Sequence, residues 1–277
     1  MLIDFLCEFI TPGFIFANKE VELRPPSIKG KLRFWWRAIR AEENLSQLQT
    51  EESSIFGGNQ NKSSFSMKLV PVNKNTSTYP LLPHKNSSKD KSFLECISPN
   101  TTFKLTFKTK NSNLLEICKS LFFIATTLGG FGRRSRRGFG SIKITTPAEF
   151  NTSKFTSEQI LVKILEHLNK ISNHYSFVNG RIVNNSLVKA DYPFIKEILI
   201  GDKSNSWEQI LFRIGNMSST FCNPALGFIK STDLTLKNLT DKKDIPSRLA
   251  SPVYVSVVQS NAGYHPIVTI LNVNYSS

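Results

Sequence analysis

Five glycines bracket four arginines in residues 128–141 of this chain, Leu-Gly-Gly-Phe-Gly-Arg-Arg-Ser-Arg-Arg-Gly-Phe-Gly-Ser. Glycine reaches positive φ and lets backbone come close to a ligand. The planar fork of arginine grips phosphate at two points. Four guanidiniums at Arg133, Arg134, Arg136 and Arg137 repel one another unless solvent or a polyanion lies between them. The pattern reads as a grip for a phosphate chain. The plainer alternative is a solvated basic loop whose glycines serve only turns.

The loop is not a dinucleotide fingerprint. Gly130-x-Gly132 is present, but Ser135 stands where the third glycine belongs. A dinucleotide site also needs strand, loop, then helix, whereas this loop follows a helical pattern and precedes a strand-like one.

A second basic feature precedes it. After Pro25, Pro26 and a possible N-cap at Ser27, residues 28–43 read as a helix. Leu32, Trp35, Trp36 and Ile39 fall within an arc of roughly 100°. Lys29, Arg33, Arg37 and Arg40 fall within a neighbouring arc of roughly 80°. One stripe is a core face and the other a positive rail, with no acid between residues 23 and 41 to neutralise it. An ordinary helix with a solvated basic face gives the same pattern. The two tryptophans read as core, and Phe34, off the apolar arc, as the exposed aromatic on which a base could stack.

Catalytic groups are thin. His84, His167, His174 and His265 lie apart from both basic motifs in sequence, and each reads as a surface or packing residue. The acids show no pairing of the kind two-metal chemistry needs. Cys7, Cys96, Cys118 and Cys222 form no CxxC pair, which argues against a zinc site and a disulfide framework. No cofactor, metal or catalytic residue is expected.

The elements that must position these groups follow from pattern. Residues 1–10 and 101–110 alternate as strands, and 64–72 and 141–145 read as two more. Residues 73–92 read as a mobile loop, and 111–128 as a helix. The order is β-α-β-β-α-β, the ferredoxin-like plan, with the first and third strands central and both helices on one face. Composition shifts near Pro147, so a domain of 1–150 and a second of 151–277 are expected. The second shows helices at 157–172 and 207–221, a strand or short helix at 193–200, and a hairpin from 253–259 and 266–273. The fold class is therefore α+β, two ferredoxin-like (RRM-like) domains in tandem, the second divergent.

The chain has 277 residues and a net charge of +14, with +10 in residues 1–150 and +4 in the rest. Such a balance suits nucleic acid or an anionic surface. Acids interrupt the apolar N-terminal run, so no signal peptide is read there, and no stretch is long enough to span a bilayer. A cytoplasmic protein with no membrane partner is expected.

Together the motifs resemble the RAMP superfamily. The resemblance rests on Thr11-Pro12, on residues 22–38 (Glu-Leu-Arg-Pro-Pro-Ser-Ile-Lys-Gly-Lys-Leu-Arg-Phe-Trp-Trp-Arg-Ala), on Ile55-Phe56-Gly57-Gly58 and on the loop 129–140. Arg248-Leu249-Ala250-Ser251-Pro252 is similar to a late motif of that superfamily. Within it, the residue 24–37 run looks like the first-numbered subunit family of the Cmr complex, the type III-B CRISPR effector. The resemblance implies two RRM-like domains, a glycine-rich loop that contacts RNA, and a place near the 3′ end of the guide RNA beside other RAMP subunits. It implies guide (CRISPR) RNA and target RNA as ligands in antiviral defence, with target cutting done by another subunit. The aromatic sheet motif of ordinary RRM proteins is not recognisable here.

The expected phosphate contacts are Arg24, Lys29, Lys31, Arg33, Arg37, Arg40, Arg133, Arg134, Arg136 and Arg137. Gly129, Gly130, Gly132, Gly138 and Gly140 are expected to admit the RNA backbone. Rail and loop would then form two walls of a groove. The alternatives are a metal-independent endoribonuclease that processes guide RNA, and an assembly scaffold that meets only protein.

Overall fold

Alternation of apolar residues sets the first sheet. In β1 (Leu2–Phe9) the side chains of Phe5, Cys7 and Phe9 are buried, and in β7 (Thr102–Thr109) those of Phe103, Leu105 and Phe107. These six share one face of the pleat, because Phe5 lies opposite Leu105 in an antiparallel ladder. The computed structural model describes residues 1–17, 20–58, 61–85, 91–190, 192–220, 228–229, 248–249 and 251–272.

Between these two strands come the small pair β2 (Phe16–Ala17) and β3 (Glu20–Val21), helices α1 (Pro25–Arg40) and α2 (Leu45–Phe56), strand β4 (Phe65–Pro71), and the hairpin of β5 (Thr76–Pro80) with β6 (Phe93–Ile97). Helix α3 (Ser112–Leu128) and β8 (Ile142–Thr146) follow. The sheet order is β4-β7-β1-β8, all antiparallel. Its two central strands are thus the first and third of the four. Helices α1 and α3 cover the buried face, where Phe5, Phe107 and Phe122 meet with ring centroids 5.0–6.0 Å apart. Truncating such a ring to alanine costs about 3–5 kcal/mol, since the cavity cannot fully close.

The second half carries α4 (Ser157–Asn169), β9 (Tyr175–Val178), β10 (Arg181–Asn184), β11 (Ile195–Ile200), α5 (Trp207–Thr220), β12 (Phe228–Ile229), β13 (Arg248–Leu249), β14 (Val253–Gln259) and β15 (Tyr264–Leu271). Its sheet order is β14-β15-β11-β10-β9, again antiparallel throughout. One hydrophobic cluster runs from Phe5 to Leu271. Helix α3 joins the halves by packing on α4 and β14, and Ser256 donates its hydroxyl to the Thr127 carbonyl.

Several elements differ from expectation. Helix α1 begins at Pro25 rather than after Ser27, with Arg24 as N-cap. Prolines are tolerated in a first turn, where their missing N–H groups leave no hydrogen bond unmade. Residues 45–56 form a helix, capped by the Asn44 side chain on the Gln47 amide, where the Ile-Phe-Gly-Gly ending of residues 51–58 suggests only a turn. The stretch read as a mobile loop contains β5 and the start of a paired hairpin, with residues 86–90 outside the described residues. The hairpin of β9 and β10 turns on Asn179-Gly180, both at positive φ, a dipeptide that favours such turns.

Candidate nucleic-acid interface

The loop between α3 and β8 is fastened at both ends by the backbone. The Phe131 amide donates to Gly140 O at 2.9 Å, Arg133 N to Phe14 O at 2.8 Å, and Gly140 N to Pro12 O at 2.8 Å. Thr11 locks the base. Its hydroxyl donates to Gly138 O at 2.7 Å and accepts from Ser141 N at 2.9 Å. On the far side Gly138 N donates to Val255 O and Val255 N to Arg136 O, so the loop pairs with β14.

This changes what the glycines do. Gly129, Gly130, Gly138 and Gly140 are buried, and only Gly132 is exposed. A Cβ at Gly140, at φ +64°, would lie 2.0 Å from Phe131 O, and one at Gly130 would lie 2.3 Å from Phe139 O. The close approach at these four positions is to the protein itself and not to a ligand.

The arginines divide. Arg133 is exposed, and its guanidinium sits 5.1 Å from the centre of the Phe16 ring. Arg136 donates to Ser251 O at 2.6 Å and lies 4.7 Å over Tyr254, so it ties the loop to the second half. Arg134 and Arg137 are half-buried; burial, and then each one's arginine neighbour, pushes both below the usual guanidinium range. Among the described residues no carboxylate lies within ion-pair distance of any of the four.

The rail on α1 does not face this loop. Arg37 meets both oxygens of Glu52 at 2.8 and 2.9 Å, and Arg33 lies 3.6 Å from the same carboxylate. Arg33 also donates to Gly57 O. Arg40 pairs with Glu51 at 2.8 Å. The unforeseen helix α2 supplies both acids, so three of the four rail cations are neutralised within the fold. Lys29 instead lies 5.7 Å over the Phe65 ring, with burial and then Arg33 lowering its pKa.

The α1 cation that does face the loop is Lys31. Its ammonium donates to Ser135 Oγ at 2.9 Å and lies 5.9 Å over Tyr254. Burial, with Arg136 adding repulsion, lowers its pKa to about 8. Lys31, Ser27, Gly132, Arg133 and Phe16 line an open cleft of about 370 Å³ at the N-terminal end of α1. Arg24 is exposed at the same end, and no acid occupies the first turn. Such a cleft offers an anion two side-chain cations, a hydroxyl and the positive end of a helix dipole.

Other expectations are also resolved. Trp35 and Trp36 are buried in the core. Phe34 is not an exposed platform; it packs between Trp35 and Tyr254, with centroids 5.3 and 5.4 Å away. His167 is buried, bonded to Ser120 Oγ at 3.0 Å and stacked on Phe150. His265 is held between Gly201 O and Ser260 Oγ. His84, remote in sequence, comes near enough to Arg134 for that charge to lower its pKa, after burial and Lys85. Cys7, Cys96 and Cys118 are free and buried, while Cys222 lies outside the described residues. In the late motif, Arg248 and Leu249 form β13, Ala250 lies outside the described residues, and Ser251 holds Arg136. No cluster of three or more metal-ligating side chains occurs among the described residues. No helix there is long and apolar enough to cross a membrane.

The site residues missed in the sequence are Thr11, Phe16 and Ser135. Thr11 stood in a legible Thr-Pro-Gly turn; the other two depend on long-range contacts.

The RAMP superfamily model matches residues 8–143, which contain the cleft and the loop. The chain is a RAMP-superfamily protein. It is homologous to Cmr1 of the type III-B CRISPR Cmr complex: it is 22% identical over 274 residues to Cmr subunit Cmr1-1 of Pyrococcus furiosus, covering 88% of this chain and 79% of that one. Cmr1-2 of the same organism is 25% identical over 171 residues, covering 50% of this chain and 91% of its own. The fold is that of the crystal structure of apo Cmr1 from Pyrococcus furiosus, with a TM-score of 0.65 at 17% identity over 99% of this chain and 88% of that one. It is also that of a chain in a cryo-EM structure of type III-B Cmr-beta bound to cognate target RNA, with a TM-score of 0.66 at 13% identity over 98% and 94%.

Proposed function

We propose that this chain is a non-catalytic RNA-binding subunit of a type III-B CRISPR ribonucleoprotein, seated near the 3′ end of the guide RNA and its target beside other RAMP subunits. The observation that carries the reading is the Lys31–Arg133 cleft. It gathers cations that no carboxylate among the described residues neutralises, against a loop already locked in place. Phosphate contacts fix position without reading sequence, which suits a subunit that accepts many guides.

Of the ten cations expected to touch phosphate, the reading keeps Arg24, Lys31 and Arg133 as direct contacts at this cleft, while Lys29 lies apart from it over Phe65. Arg134, Arg136 and Arg137 supply background potential and loop anchorage. Arg33, Arg37 and Arg40 are assigned to the α1–α2 interface. Two of the four histidines speak for binding over cleavage, since His167 and His265 are committed to hydrogen bonds in packed surroundings. A general acid or base must instead reach the proton it moves.

The two halves support a tandem ferredoxin-like reading, divided near residue 150. In the second sheet β15 lies between β11 and β14, as β7 lies between β1 and β4. Strand β10 takes the place next to β11 that β8 takes next to β1, although it comes earlier in the chain. That is the same spatial order with the last strand moved to the front.

The test is photo-crosslinking of labelled guide RNA in an assembled effector containing this subunit. Crosslinks at the N-terminal end of α1 and at Arg133 are expected. Crosslinks confined to other subunits would refute direct RNA contact and favour a protein-only scaffold.

A further inference from the structure

A second cleft, of about 910 Å³, opens where the end of α2, the start of β4, the end of β7 and the start of α3 meet. Exposed Lys108 and Lys110 stand on its rim with the hydroxyls of Ser64 and Ser66, and Asn113 closes one end. Its floor is apolar, formed by Ile55, Phe65 and Ile117. No carboxylate lines it among the described residues. The nearby Glu51 and Glu52 are taken up by Arg40 and Arg37, and Glu116 by Lys119. The adjoining stretch of sequence, residues 57–66, contains no acid and one further lysine, Lys62.

The two clefts share no lining residue, but α1 reaches both. Lys31 points from that helix to the Gly/Arg loop, while Lys29, two residues earlier, lies over Phe65 in the floor of this cleft. Phosphate on lysines and hydroxyls, with bases against an apolar floor, is the chemistry of a single-stranded nucleic acid groove. A membrane surface or an acidic protein would use the lysines but leave the recessed floor idle.

The geometry points to a second RNA-binding segment in this cleft, where a single strand leaving the Lys31–Arg133 site passes around the N-terminal end of α1 and is held by Lys29, Lys108 and Lys110. The inference rests on the reading that the ligand of this chain is RNA.

The experiment uses the full chain, a long single-stranded RNA able to reach both clefts, and a short oligonucleotide able to fill only one. In K108A/K110A, affinity for the long RNA is expected to fall about tenfold, with the salt dependence shallower by about 1.4 in logarithmic slope for two lost phosphate contacts. Affinity for the short oligonucleotide, held at the loop cleft, should be unchanged. K108R/K110R should restore the long-RNA affinity. Unchanged affinity and slope for the long RNA in K108A/K110A would overturn the inference, as would a defect seen only in assembly with protein partners. K31M/R133A separates the two readings: if it binds RNA normally while K108A/K110A does not, the loop cleft is wrong and this one stands.

Discussion

The Lys31 ammonium donates to the Ser135 hydroxyl at 2.9 Å, joining the first helix to a loop 104 residues further along the chain. The contact places a cation near Arg136 and the Tyr254 ring, with no carboxylate paired to it among the described residues. Replacing Lys31 with Met should lower RNA affinity about tenfold, the scale of one charge-assisted hydrogen bond. Arg37→Ala should change it less than about threefold, because that guanidinium is already spent on Glu52. Fluorescence anisotropy on both variants checks the contrast. Equal losses would mean the rail binds RNA after all.

The same lysine predicts a pH dependence. Its pKa stands at about 8, below the ordinary 10.5, because burial and then Arg136 disfavour the charged form. RNA affinity should therefore weaken as pH rises through about 8, where the free protein loses this charge. Lys31→Arg should flatten that step, since a guanidinium stays protonated. Stability moves the other way. Between about 8 and 10.5 the unfolded chain holds more protons at this position than the folded one, so this group's contribution to stability rises with pH. Titration of binding and of thermal midpoint on one buffer series tests both signs.

Neutralised arginines can be released. In E51Q/E52Q the guanidiniums of Arg33, Arg37 and Arg40 lose their counter-charges while α2 keeps its length. RNA binding should become tighter and its salt dependence steeper. The cost in stability should stay near 1 kcal/mol, as expected for ion pairs with partly exposed partners. A variant with unchanged salt dependence would show that the α1–α2 surface lies off the RNA path.

Two glycines should behave oppositely. Gly140→Ala forces a Cβ to 2.0 Å from a backbone oxygen at φ +64°, and should cost about 2–3 kcal/mol in denaturant unfolding. Gly30→Ala, inside α1 with nothing within 4 Å of the new atom, should stabilise by up to about 1 kcal/mol.

His167 should mark acid sensitivity. Burial first, then Lys170 and Lys163, lowers its pKa to about 4 from 6.5. Its neutral form is what the core accepts, so its contribution is complete above pH 6.5 and is lost as pH falls toward 4. His167→Phe should lessen the slope of stability against pH in that window. An unchanged slope would place the acid sensitivity elsewhere.

Much of the first sheet was legible. The clean alternation from Thr102 to Thr109 and the apolar run of α3 announced themselves because each buries one face, and local period encodes that directly. Helix α2 was not legible. Only Leu48 and Phe56 of its residues are buried, so it carries almost no periodic signal. That one omission reversed the meaning of the rail, whose counter-charges Glu51 and Glu52 sit on the unseen element. The Gly/Arg loop is legible as a segment, but what its glycines approach is not. Their neighbours are Phe14, Phe131 and Leu211, and closeness of that kind is fixed by tertiary packing rather than by spacing along the chain.

The pairing of the Gly/Arg loop with Val255 has a further consequence. Strand β14 ends its sheet, and its outward N–H groups would otherwise stand open to any extended chain. Val255 N is taken by Arg136 O and Val257 N by Ser141 Oγ. Four cationic side chains in the covering segment then repel any like copy that approaches. The loop guards the molecule against edge-to-edge aggregation, a duty it would hold even in the absence of nucleic acid.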